Sequence, residues 1–142
     1  MTNAVRTVGP DATVRDIAQI MREEDTGVVP VVTDDRRLFG LVTDRDIVVR
    51  GLTDNKAITD LRARDLATRD LEVSSPADPL SEILDMMGRQ QIRRVPVVDE
   101  NDVLVGIVSL ADVANRADHH HDLQQALERI SGRRSFSNRI WR

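Results

Sequence analysis

Residues 8–47 return as residues 74–113 without insertion or deletion, sixty-six positions later. Pro30-Val31-Val32 falls on Pro96-Val97-Val98, Leu38 on Leu104, Gly40 on Gly106, Val42 on Val108 and Asp46 on Asp112. Pro10, Ile17, Met21 and Val29 come back as Pro76, Ile83, Met87 and Val95. A fixed period of this kind marks a duplicated supersecondary unit, and one such unit is too small to close its own core. The two copies are therefore expected to pack on each other, sheet to sheet with pseudo-two-fold symmetry. A duplicated unit also makes two related crevices at the joint, where small-molecule sites tend to lie.

The chain has 142 residues, 40% of them hydrophobic, which suffices for one packed domain and not for two independent ones. It contains no Cys, so disulfides, a thiolate nucleophile and a thiolate metal site are excluded. The first residues hold no apolar core of a signal peptide, and no run of eighteen apolar residues occurs, which predicts a cytoplasmic chain without a membrane partner. All 24 acidic residues lie at or before Glu128, against 15 of the 20 Lys and Arg. A body this acidic repels a phosphate backbone, and Phe39, Phe136 and Trp141 are the only aromatics for base stacking. Nucleic acid is not an expected partner.

Each copy reads as strand, helix, strand, strand, helix, an α+β (mixed α/β) pattern. Val14, Ile17, Ala18 and Met21 place an apolar stripe on a helix over residues 13–24, repeated by Leu80, Ile83, Leu84 and Met87. Asp78-Pro79 predicts an N-cap and a proline at the first helical position. Residues 28–32 and 94–98 read as buried strands, and polar turns lead each into a hairpin partner over 38–43 and 103–109. The expected organisation is a first copy over 1–52, a linker with a short helix over 53–73, and a second copy over 74–117. A C-terminal helix over 118–132, stopped at Ser131-Gly132, and a mobile basic tail over 133–142 complete it.

An apolar helix, a strand ending in Pro-Val-Val, a Leu-x-Gly hairpin strand and then Thr-x-x-Asp, in that order and twice at one spacing, resembles the cystathionine-β-synthase (CBS) domain family. The residues are Val29 to Val32, Leu38 to Thr43 and Asp46, then Val95 to Val98, Leu104 to Ser109 and Asp112. The resemblance implies a tandem pair, or Bateman module, that commonly forms homodimers and senses adenine-containing ligands. Short stand-alone pairs are similar to small bacterial proteins, hypoxia- and stress-associated ones among them. By the same resemblance, Asp46 with Thr43 and Asp112 with Ser109 would contact ribose and phosphate. The backbone at Val28-Val29 and Arg94-Val95 would read the adenine edge, and Arg93 and Arg94 would meet phosphate. The first copy has Gly27 and Val28 in place of those arginines, so at most one phosphate-bearing site is expected, or a first site suited to a less charged ligand.

The chemistry of these residues fits such a site. A carboxylate at a strand-to-helix junction can accept from both hydroxyls of a vicinal diol, a helix start offers free N–H groups to phosphate, and Arg presents a planar fork of donors. A blander reading competes: Thr43-x-x-Asp46 and Ser109-x-x-Asp112 are also capping boxes, and Arg93 and Arg94 could pair with Glu100 or Asp102. His119-His120-His121-Asp122 is not read as a metal site, because consecutive helical residues diverge by 100° and only His119 with Asp122 share a face. No Walker loop, nucleophile elbow or His-Glu-x-x-His is present, so no catalytic residue and no required cofactor are assigned. The expectation is a non-catalytic regulatory module for AMP, ADP, ATP, NAD or S-adenosylmethionine acting on an unknown regulated protein. The alternative is a ligand-free structural or interaction dimer.

Overall fold

The structure, a computed structural model, describes residues 4–114 and 120–133. It divides into two units: Ala4–Leu71 with Glu100–Leu104, and Glu72–Asp99 with the described residues from Val105 onward. Each unit holds one two-stranded sheet and its helices, the mixed helix-and-strand class expected from the repeat.

In the first unit, helix α1 (Val14–Glu24) is opened by a capping box. The Thr13 hydroxyl accepts from the Asp16 N–H at 3.1 Å and the Asp16 carboxylate accepts from the Thr13 N–H, satisfying two N–H groups that a helix start leaves without partners. Val14, Ile17 and Ile20 form the buried face. Ala18, assigned to the core from its spacing, is exposed, whereas its counterpart Leu84 is buried. The reason is a covering helix that only the second unit possesses, described below.

Strand β1 (Val28–Val32) is buried throughout and pairs antiparallel with β2 (Leu38–Thr43), with a bulge between Val31 and Val32. The expected opening strand of each copy is a single parallel bridge, Val8 to Val31 and Ser74 to Val97. Val8 donates to Pro30 O at 3.0 Å and accepts from the Val32 N–H at 2.8 Å; Ser74 does the same with Pro96 and Val98 at 3.0 and 2.9 Å. The next rungs of a parallel ladder would need the N–H of Pro30 on one side and of Pro10 on the other. Neither exists, and Pro96 and Pro76 end the second bridge in the same way. The recurring prolines thus confine that strand to one residue while leaving the β1–β2 ladder intact.

After β2 the chain enters α2 (Asp44–Thr53). The linker then folds as two single turns, a 3₁₀ turn at Ile58–Asp60 and α3 (Ala63–Leu66), rather than one short helix. Leu61, Ala63 and Leu66 are buried with Ile17, Val29 and Val42 in one core. Thr68 then pairs with Leu41 through hydrogen bonds of 2.8 and 3.1 Å. A Cβ on Gly40 would stand 2.6 Å from Thr68 O, so only glycine admits this close approach. The turn Glu100–Leu104 also joins this unit: the Leu38 N–H donates to Asp102 O at 3.0 Å and the Leu104 N–H to Arg36 O at 3.1 Å.

The second unit contains α4 (Leu80–Gln90), β3 (Arg94–Val98), β4 (Leu104–Ser109) from Val105 onward, α5 (Leu110–Ala114) and α6 (His120–Arg133). Asp78 does not cap α4. Its carboxylate is taken by the Ser75 N–H at 2.9 Å and the Ser74 hydroxyl at 3.0 Å, and Pro79 stands at the N-cap without a side-chain bond. These bonds hold the Asp78 carboxyl below the usual carboxylate range, the Ser75 N–H foremost. Helix α6 covers α4, burying Ala126 and Ile130 with Ile83, Leu84 and Met87, and Arg129 meets Asp85 at 3.0 Å. It also passes through Ser131-Gly132 to Arg133. A helical glycine costs about 1 kcal/mol, which this helix absorbs without ending. Residues 118 and 119, and the tail from 134, lie outside the described residues.

Candidate functional site

Strand β3 begins at Arg94, and the residue before it, Arg93, accepts at its carbonyl from the Leu110 N–H at 2.8 Å. That bond draws the start of α5 to the start of β3, so two exposed arginines and the β4–α5 junction come together. Between them lies a groove of about 360 Å³ lined by Arg93, Arg94, Ser109, Leu110, Ala111 and Ala114, with Leu123 and Leu127 of α6 along one side. Among the described residues neither arginine forms an ion pair.

Ser109 is the hinge of this site. Its hydroxyl accepts from the Asp112 N–H at 3.1 Å, and its own N–H donates to Asp112 Oδ2 at 2.9 Å. The Ser109 N–H, with the Arg94 charge adding to it, holds the Asp112 carboxyl below its ordinary value. Asp112 is tied to the groove through Ser109 without lining it. Val95 is fully buried in β3 and offers the site its backbone alone.

The first copy builds the same turn. The Thr43 N–H donates to Asp46 Oδ2 at 2.9 Å, the Asp46 N–H to the Thr43 hydroxyl at 3.0 Å, and Arg50 Nε stands 3.8 Å from Asp46 Oδ1. Val28 and Val29 are buried, and the Asp44 N–H bonds Gly27 O at 3.0 Å, as Leu110 bonds Arg93. Both proposed motifs are therefore complete capping boxes.

The contributions of Leu123 and Leu127 went unread in the sequence, where their helical spacing spoke only for core. The opposition of Asp44 to Leu110 was visible in the repeat alignment and carried no weight there. Among the described residues no group of three His, Asp or Glu side chains could hold a metal ion, and His119 of the His119–Asp122 pair lies outside them. No described helix is long and apolar enough to cross a membrane.

The sequence and fold match known proteins over most of the chain. The CBS domain family model matches residues 1–51 and 63–119. Hypoxic response protein 1 of Mycobacterium tuberculosis is 40% identical over 124 residues, 87% of this chain and 86% of that protein. The CBS domain-containing protein YhcV of Bacillus subtilis is 37% identical over 138 residues, 92% of this chain and 91% of that one. Among solved structures, Hypoxic Response Protein I with two coordinated zinc ions gives a TM-score of 0.74 at 40% identity, covering 82% of this chain and 93% of its own. CBSX2 in complex with AMP gives 0.73 at 26% identity, covering 82% and 91%. A CBS domain pair in complex with 5′-methylthioadenosine and S-adenosyl-L-methionine gives 0.70 at 25%, covering 80% and 91%. With the family model met twice along its length, the chain belongs to the CBS domain family as a tandem pair of repeats.

Proposed function

We propose that this CBS pair is a non-catalytic, cytoplasmic sensor module that binds a phosphate-bearing adenine ligand at the groove of its second copy. The observation that carries the reading is the convergence of Arg93, Arg94 and Ser109 on one groove of about 360 Å³, within the usual size of small-molecule sites. Two guanidinium forks without competing ion pairs among the described residues are suited to phosphate oxygens. The Asp112 carboxylate, its pKa lowered chiefly by the Ser109 N–H, is suited to accept from ribose hydroxyls, and Leu110, Leu123 and Leu127 offer apolar surface to a base. AMP bound to CBSX2, and S-adenosyl-L-methionine bound to another CBS pair, support the ligand class. The ligand would act by favouring one arrangement of the module over another, through its difference in affinity for the two.

A thermal-shift series with AMP tests this. At 100 times its dissociation constant a ligand adds about 2.7 kcal/mol, or roughly 5–10 °C in Tm for a chain of this length. The expected outcome is such a rise in the wild type and none in Arg93→Ala/Arg94→Ala, whose ligand-free Tm stays close to wild type because both side chains are exposed. No rise at millimolar AMP contradicts the proposal. A second reading, a structural or interaction dimer of the stress-response kind, is favoured by the fact that both Thr/Ser-x-x-Asp motifs fully cap their helices.

A further inference from the structure

The repeat aligns Gly27 with Arg93 and Asp44 with Leu110. The same backbone hydrogen bond joins each pair, at 3.0 Å in the first copy and 2.8 Å in the second. The two positions of each pair therefore stand at equivalent points of the backbone, and the difference between the copies is one of charge. In the second copy a guanidinium leaves this point beside an apolar leucine. In the first, a Cβ on Gly27 would stand 3.1 Å from Asp44 Oδ2 and 3.3 Å from its Cγ, so the carboxylate crowds the space in which an Arg93-like side chain would begin. Gly27 has no positive φ; the backbone admits any residue and the glycine answers a demand for room. The other Asp44 oxygen accepts from the Arg45 N–H at 2.9 Å, occupying a helix-start donor toward which an anion would be drawn. Where the second copy carries two positive charges at the start of its strand, the first carries none there and sets a carboxylate and a donor already in use over the equivalent point.

We propose that Asp44, seated over Gly27, makes the first copy reject phosphate, so that each chain takes one phosphate-bearing adenine ligand and takes it at the second copy. This deepens the adenine-ligand reading and rests on it. Like charges held this close oppose binding in the way that specificity is built against a wrong partner, and the swap is concentrated in two residues.

Calorimetric titration with AMP of the wild type, of Arg93→Ala/Arg94→Ala, and of that double variant carrying also Gly27→Arg and Asp44→Leu tests the exclusion. One AMP per chain is expected in the wild type, none in the double variant, and one again in the quadruple variant. Asp44→Asn in the double-variant background, which retains a polar side chain over Gly27, is expected to raise AMP affinity at least tenfold. Two AMP per wild-type chain would overturn the exclusion, as would Asp44→Asn and the quadruple variant, both folded by their melting curves, without gain in AMP affinity. A wild type that binds no AMP sinks the adenine reading instead; AMP binding gained on removing the Asp44 carboxylate would still support the exclusion in that case.

Discussion

Asp112 is where a single residue joins the fold to the proposed ligand chemistry. Its folded-state carboxyl is held below the ordinary value, chiefly by the Ser109 N–H, so it contributes stability that is present above the unfolded value of about 3.9 and is lost as the pH falls below it. An amide at this position keeps the shape and is a weaker acceptor. The Tm of Asp112→Asn should accordingly lie below wild type at pH 7, and the gap should narrow below about pH 4; a gap independent of pH would mean that the carboxylate does not support α5 in this way. The motif itself was legible, because Thr/Ser-x-x-Asp has a local meaning at any helix start. The role of Gly27 was not, since a missing side chain signals nothing until Asp44 is seen above it.

At the scale of elements, helix and strand positions followed from periodicity, and β1, β2 and β3 begin and end where the alternation of apolar residues and polar turns places them. What escaped the sequence were features decided by partners outside each local helix or strand pattern. The opening strand shrinks to one bridge because two prolines thirty or fewer positions apart remove successive rungs. Leu84 is buried and Ala18 is not because α6 lies over α4. Asp78, a cap by local pattern, is claimed by Ser74 and Ser75. The linker likewise proves part of the first unit's core, held at Gly40 by contact with Thr68. Gly40→Ala should displace that pairing and cost about 1–3 kcal/mol, the usual penalty of overpacking, measurable by urea unfolding. A cost below 0.5 kcal/mol would show that Thr68 yields freely.

For the whole molecule, duplication explains why two similar capping boxes exist and why they need not do the same work. The first keeps its helix start while Asp44 reverses the charge beside it, and the second pairs the same turn with two arginines. Helix α2 also leaves Val48, Val49 and Leu52 at 58%, 45% and 68% exposure on one side, apolar surface of a kind that marks interaction sites when contiguous. The homodimer implied by family resemblance would cover such surface, and Leu52→Glu is expected to lower the mass measured by light scattering from two chains to one. An unchanged mass would place any dimer contact elsewhere.

The proposed function turns on whether an adenine nucleotide enters the groove of the second copy, and backbone amide chemical shifts of the labelled wild-type protein titrated with AMP measure this most directly. The largest shifts are predicted at Arg94, Ser109, Leu110 and Ala111, with far smaller ones at Thr43 to Asp46. Saturating AMP that leaves those four amides unmoved, or moves only residues remote from the groove, would contradict it.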